Sequence, residues 1–517
     1  MKKIHWTLET LSCKVVWFLS TVIFVLLTGT GLIFTRYFAA DYNGEIPYVK
    51  IACFPLTLLA ALLIGGIIYA IADRVSEDGQ RGKKQVQFIL ACVLLWCIAF
   101  GTAWVLLAVS TPVSDQAMVT SSAERFLEGD YGRLGYSKYL YYYPFQISLA
   151  AFEELVFYLF GVNNYTAFQL LNVLEITGTV YAGYRITALL FDRRKVEVSY
   201  LLLAAVCFPF LIFSAYVYSD VVAIFMSVVL IWQTLSLLKT GKKRYILGMI
   251  LAASLAVLLR SNSLIILIAV CCVLVVKAIS EKKWIYLLCI LLMGAGILGS
   301  RETLYRYYEE KSGMELNDGM PSVLWIAMGM QEGDKEAGWY NGYSMYTYQD
   351  VCLYHGPTAN ALGIAEIKAR AKGFLKDPIY AVDFYFRKFT SQWNDPTYGC
   401  FIMTHATDLE RNALGISMYD GNIKKLLEHF MDPYQLLIYG SILFLLLYRR
   451  KEKRSVEWYI LLIGVLGGVL FHELWEAKSR YVLPYFIIMI PMAAAGLSEL
   501  GDAVGRWRTK DEAVKAG

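Results

Sequence analysis

Four short stretches carry ionisable side chains in a chain that is otherwise mostly apolar. They are Asp115 in "STPVSDQAMV", Asp220 in "YVYSDVV", Arg260 in "LLRSNSL", and His472, Glu473, Glu476, Lys478 and Arg480 in "FHELWEAKSRYVLP". The residue types suggest a chemistry. A carboxylate such as Asp115 or Asp220 can act as general base on an acceptor hydroxyl. Arg260, Lys478 and Arg480 can hold a phosphate or diphosphate, the arginines by bidentate contacts. Tyr142 and Tyr143 in "YLYYYP", with "WYNGY" at 339–343, can stack on sugar rings or line a lipid groove, beside His472 and Glu476. Each group also has a plain structural use. Asp115 and Asp220 can cap the helices that follow them, Lys478 and Arg480 can snorkel to a membrane interface, and tyrosines belong to interfacial belts.

The elements that must position these residues follow from composition. The 517 residues are 57% hydrophobic and 15% aromatic, with a mean hydropathy of +0.48. Apolar runs of roughly 17–25 residues, the length that crosses a bilayer core, predict a polytopic α-helical membrane protein of about twelve spans. These lie at 15–35, 51–72, 86–109, 165–190, 198–217, 220–238, 245–260, 263–279, 284–300, 433–448, 457–472 and 481–499. The basic segments 73–84, 192–195, 239–244, 280–283, 449–454 and 505–510 all fall on one side if the N-terminus is cytoplasmic, as the distribution of Lys and Arg requires. That count puts every candidate site residue on the opposite, extracytoplasmic side of a cell membrane. The N-terminal apolar run, long and without an A-x-A site, reads as an uncleaved first helix. A net charge of +5 spread over these loops gives no basis for a nucleic-acid partner.

The stretch "PFQISLAAFEELVFYLFG" (144–161) carries Glu153 and Glu154 in its middle, an expensive place for charge in a span. Counting it as a span would also put five basic loops outside. It is expected to be an interfacial helix within the first outer loop (110–164). The predicted organisation is two N-terminal spans and a cytoplasmic loop (1–85), a membrane core (86–300), a small extracytoplasmic domain (301–432), and three C-terminal spans with a cytoplasmic tail (433–517). Eight of the ten cysteines lie in or beside apolar runs. Cys352 and Cys400 sit in the polar segment, where a disulfide between them is one option.

Four stretches resemble the GT-C superfamily of membrane glycosyltransferases, whose members include protein O-mannosyltransferases and the lipid A aminoarabinose transferase. "SDQAMVTSSAERFLEGDY" is similar to the family's acidic first loop, and "YYYPFQISLAAFEELVFYLFG" to the segment that begins with Pro and ends in a Leu/Phe-Gly pair. "FSAYVYSDVVAIF" looks like its second acidic turn, and "EAKSRYVLPYFIIMIPMAAAGL" like its closing Arg-Tyr-x-x-Pro helix. The architecture matches over 86–499, the residues only in these stretches.

The resemblance implies inverting transfer of a hexose or pentose from a polyprenyl-phosphate-linked donor to a lipid, glycan or protein acceptor outside the cytoplasm. Asp115 would match the catalytic base, Asp220 the acidic group of the second loop, and Lys478 and Arg480 residues near the donor phosphate. Two departures stand out. Asp115 is followed by Gln116 where many relatives carry a second acid, which leaves a divalent metal open. The acidic loop also follows the third span rather than the first. Two other classes fit a polytopic chain: a transporter or flippase of lipid-linked saccharides, and a polymerase or ligase of surface polysaccharide. The chain shows neither the internal repeats nor the midplane polar residues usual for transporters.

Overall fold

The computed structural model describes residues 2–41, 44–405 and 411–516. Long apolar runs cannot leave backbone amides unpaired in lipid, so they fold as helices, and helices dominate. The long elements, in order, are α1 (Lys2–Ile33), a hairpin of β1 (Phe34–Asp41) and β2 (Gly44–Ile51), α2 (Phe54–Asp73), α3 (Gly79–Ala108) and α4 (Asp115–Leu127). Next come α5 (Ile147–Phe160), α6 (Tyr165–Phe191), α7 (Arg194–Ala205), α8 (Asp220–Thr240), α9 (Arg244–Leu259), α10 (Leu264–Glu281) and α11 (Ile285–Ser312). They are followed by α12 (Gly356–Lys376), α13 (Pro378–Trp393), α14 (Asn422–Tyr448), α15 (Ile460–Leu474) and α16 (Leu483–Ala516).

Among the described residues, nine helices are long and apolar enough to cross a membrane, or eleven if two bent pairs each count as one span. The protein is therefore a helical, multi-pass membrane protein. One bent pair is the segment from Pro144 to Phe160 followed by α6, which meet at 111° across Gly161, a glycine at φ +100°. The other is α7 and the segment Phe208–Ala215, bent by 50° just before Pro209, whose ring cannot continue a helix. The helix α9 is apolar but shorter.

The spans differ sharply in what covers them. The apolar window of the last span is 89% buried within the protein, whereas those of α2 and α11 are only 17% buried. So α16 is the central post, packed on α14, α7 and α15, while α1–α3 and α11 form the rim. Exposed Leu, Ile, Val and Phe side chains on those rim helices need a hydrocarbon solvent. Close packing at the post relies on small residues. A Cβ on Gly496 would lie 1.9 Å from the Ser441 carbonyl oxygen of α14.

Charge separates the two ends of the bundle. At one end the basic loops meet carboxylates of the chain itself. Lys195 pairs with Asp73 (2.6 Å) and Asp502 (2.7 Å), and Arg193 with Glu499 and Asp502 (both 2.9 Å). The candidate site residues lie at the other end, with the β-hairpin and the segment between α11 and α14.

The expected boundaries at 300/301 and 432/433 both fall inside helices, α11 and α14. Pro433 lies within α14. The disulfide considered above does not form. Cys352 and Cys400 are both free and buried, Cys352 in a small cluster with Met320, Leu324 and Tyr348 and Cys400 in the main core. Packing separates them into different cores, where each acts as a small hydrophobe.

Candidate functional site

Asp115 is the first residue of α4. The chain leaves α3 through Val109 at φ +46° and turns into α4 through Ser114 at φ +53°. This turn is pinned by Ser110, which donates to the Thr404 carbonyl at 2.5 Å, and by Gln169 of α6, which donates to the Ser110 carbonyl at 2.9 Å. The N-cap residue Ser114 makes no side-chain cap on α4, and Asp115 lies in the first turn, where the helix dipole favours a negative charge. Asp115 is exposed, has no cation at ion-pair distance among the described residues, and accepts a hydrogen bond from the Tyr139 hydroxyl at 3.3 Å. Burial raises the Tyr139 phenol well above its ordinary value, with Tyr218 and Asp115 adding to the effect, so the phenol stays a donor.

Asp220 begins α8, whose N-cap residue Ser219 likewise makes no side-chain cap. Asp220 is buried and sits 3.0 Å from the Arg260 guanidinium, at the turn between α9 and α10. Polar side chains of α6 hold the chain leading to it. Asn172 donates to the Ser214 and Tyr216 carbonyls (3.2 and 2.7 Å), and Gln169 to that of Ala215 (3.0 Å). This fixes Tyr216 and Tyr218 as a wall. Arg480 lies against it, its guanidinium carbon 5.6 Å from the Tyr216 ring centre and 5.3 Å from those of Tyr218 and Tyr481. Arg260 shares the Tyr218 and Tyr481 rings at 5.8 and 5.5 Å. Asp220, Arg260, Asn262, Arg480 and Tyr481 line one narrow crevice.

The two arginines differ in one respect. Arg260 is neutralised by Asp220. Arg480 is only 8% exposed, yet among the described residues it has no carboxylate at ion-pair distance and no hydrogen-bond partner, and its Nε is buried and unsatisfied. A buried cation supported only by ring faces is costly unless an anion completes it.

Lys478 pairs with Glu45 of β2 at 2.8 Å, and Lys335 approaches the other Glu45 oxygen at 3.6 Å. Burial pushes the Glu45 carboxyl up, but Lys478, Lys335 and Arg480 outweigh it and hold it below the usual range. Burial likewise disfavours the charged form of Lys478, and Glu45 overrides this and raises it. Glu476 is buried beside them and, among the described residues, has neither a hydrogen bond nor an ion pair. Burial pushes it up to about 7; Lys478 opposes the shift, while Asp115 and Glu45 add to it.

The loop that carries these residues is clamped from α13. The buried Lys388 ammonium donates to the carbonyls of Gly329 (2.5 Å), Glu473 (2.9 Å) and Trp475 (2.7 Å). Burial lowers its pKa below the usual lysine range, against the pull of Glu473 and Glu476. The amide of Ala477 adds a bond to the Gly338 carbonyl at 2.8 Å.

Of the aromatic candidates, Tyr142 and Tyr143 touch edge to face at 4.7 Å. Tyr143 reaches Trp325 at 6.1 Å, and Trp325 stacks on Trp475 at 5.8 Å. His472 is fully enclosed by Phe471, Tyr481 and Tyr485, and among the described residues neither ring nitrogen has a partner. The structure thus brings Asp220, Arg260 and Arg480 into one crevice, couples Glu476 electrostatically to Asp115, Glu45 and Lys478, and sets His472 behind them.

Glu45, Tyr218 and Lys388 were not anticipated. The hairpin that carries Glu45 had a signal, the Asn43–Gly44 pair between alternating apolar residues. Among the described residues no group of three or more His, Cys, Asp or Glu side chains could hold a metal ion. A scan against protein-family models and a search of curated proteins find no match.

Proposed function

We propose that this protein is an integral-membrane glycosyltransferase of GT-C type, with twelve passes and an active site on the extracytoplasmic face. It takes a sugar from a polyprenyl-phosphate-linked donor and passes it, with inversion, to an acceptor hydroxyl. The observation that carries this reading is Arg480, a buried guanidinium that has no anion at ion-pair distance among the described residues, in a crevice at the same end of the bundle as the exposed carboxylate Asp115, which has no cation at that distance among them. A phosphate would complete Arg480, and an unpaired carboxylate is a base in waiting.

In the reaction the acceptor oxygen attacks the anomeric carbon as Asp115 takes its proton. The bond from that carbon to the phosphate oxygen breaks, and the lipid phosphate leaves with the bonding electrons. Arg480 stabilises the charge that develops on it. Arg260 and Lys478, each already paired, set the field around it, with Asp220 and Glu45 fixing their positions.

The test uses purified protein in detergent with radiolabelled polyprenyl-phosphate sugars. Asp115→Asn inserts and binds donor but transfers nothing; near-normal turnover in that variant sinks the assignment. Arg480→Ala weakens donor binding roughly ten- to hundredfold, the worth of a lost charge-assisted hydrogen bond, and Lys at that position restores little because the fork is lost. Uptake into vesicles without transfer would mark a transporter instead, and movement of whole oligosaccharides a ligase.

A further inference from the structure

We infer that α13 is a membrane-surface helix whose outer face rests in the lipid headgroup layer and anchors the segment between α11 and α14 to the bilayer. This does not depend on the proposed activity.

The helix is apolar on two faces. Its inner face is packed into the protein, with Phe384, Lys388 and Trp393 fully buried. Its outer face shows Ile379 (84% exposed), Val382 (71%) and Phe386 (39%), with Leu375 (82%) just before it at the end of α12. Positions 379, 382 and 386 recur at helical spacing, so they form one stripe. A helix apolar on both sides belongs between protein and hydrocarbon, not between protein and water.

The charges beside the stripe are already answered. Arg387 pairs with Asp383 at 2.8 Å, Glu332 at 2.6 Å and Glu336 at 3.1 Å. Lys372 and Lys376 lie exposed at the outward end, where they suit lipid phosphates.

What identifies the occupant as the bilayer is continuity. Phe386 packs against Phe34, ring centres 6.4 Å apart. Phe34 immediately follows α1, a helix long enough to span, whose exposed Val22, Val25 and Ile33 face lipid. The stripe therefore starts at the edge of the hydrocarbon core. From Phe386 to Ile379 is seven residues, about 10 Å of helix. The headgroup layer on one side is only about 5–8 Å thick. An upright helix would lift Ile379 and Leu375 into water, whereas one lying along the surface keeps all four side chains in the interface.

The test places the full chain in nanodiscs of phosphatidylcholine carrying a diazirine on the acyl chain near the glycerol. After irradiation, adducts are mapped by mass spectrometry, with the exposed Ile33 at the interface end of α1 as internal control. Adducts are expected on Ile379 and Val382. The double variant I379D/V382D is expected to lose them while the α1 adducts stay. Its fold is checked by continued protection of the buried thiols Cys207 and Cys400. A labelled control with an unlabelled stripe, or adducts at the stripe that persist in a folded I379D/V382D, would overturn the inference. So would a disulfide-linked dimer formed by a Val382→Cys variant and absent from the parent chain, which would make a second copy the occupant.

Discussion

Removing the Asp220 carboxylate should leave Arg260 buried without its counter-charge. The two groups are 3.0 Å apart, and the side chains keep only 3% and 16% of their surface. At an effective dielectric near 20, the attraction between unit charges at that distance is about 5 kcal/mol. Much of this offsets the loss of water around both groups, so the intact pair contributes little net stability. Breaking it is different, because one desolvated charge remains, at a cost of about 3–5 kcal/mol.

The expected pattern is therefore a strongly destabilised Asp220→Ala, a destabilised Arg260→Met, and a double variant better than either parent suggests. The coupling energy should be about 2–3 kcal/mol. Stability can be followed by titrating a harsh detergent into mild micelles and reading the reaction of buried thiols with a maleimide dye. Cys207 and Cys400 are 2% and 0% exposed and become reactive only on unfolding. Additive single effects, or an unchanged midpoint for Asp220→Ala, would refute the claim that this pair is a dry, mutually dependent unit.

Glu476 makes stability depend on pH. Its folded value near 7 lies above the ordinary 4.5, so the folded state binds the proton more tightly. That contribution is fully present below pH 4.5 and is lost as pH rises through 7, at most about 3 kcal/mol. Glu476→Gln should flatten this slope in midpoints measured from pH 5 to 8; curves parallel to those of the native chain would refute it. Gly496→Ala should cost about 1–3 kcal/mol by pushing α14 off α16. Gly299→Ala on α11, where a new Cβ meets nothing within 4 Å, should be harmless in the same detergent titration. Equal midpoints for these two glycine variants would contradict the packing of the central post.

Much of the scaffold was legible because hydrophobic length and charge sidedness are local properties. The apolar runs became helices, and the interruption at Gly161 became a sharp bend. Where helices continued past the lipid, as α11 and α14 do, composition changed but backbone geometry did not, so the expected domain edges fell inside them. The disulfide option failed for a related reason. Polarity along the segment hid the fact that Cys352 and Cys400 each face a core.

Asp115, Asp220, Arg260, Glu476, Lys478 and Arg480 stood out in the sequence by type and by their common end of the bundle. Their relations did not. Glu45 is drawn to Lys478 from over four hundred residues away, and Lys388 holds the loop before Arg480 through two of its carbonyls while a third bond ties it to Gly329. Nor could the chain itself say which cation would be paired. Arg260 found Asp220, whereas Arg480 was left against tyrosine rings. Sequence alone determined that the protein lives in a membrane and which residues could meet at one end of it. Which charges cancel and which stay unsatisfied depends on distances of a few ångströms and on exclusion of water, and those exist only once the helices have packed.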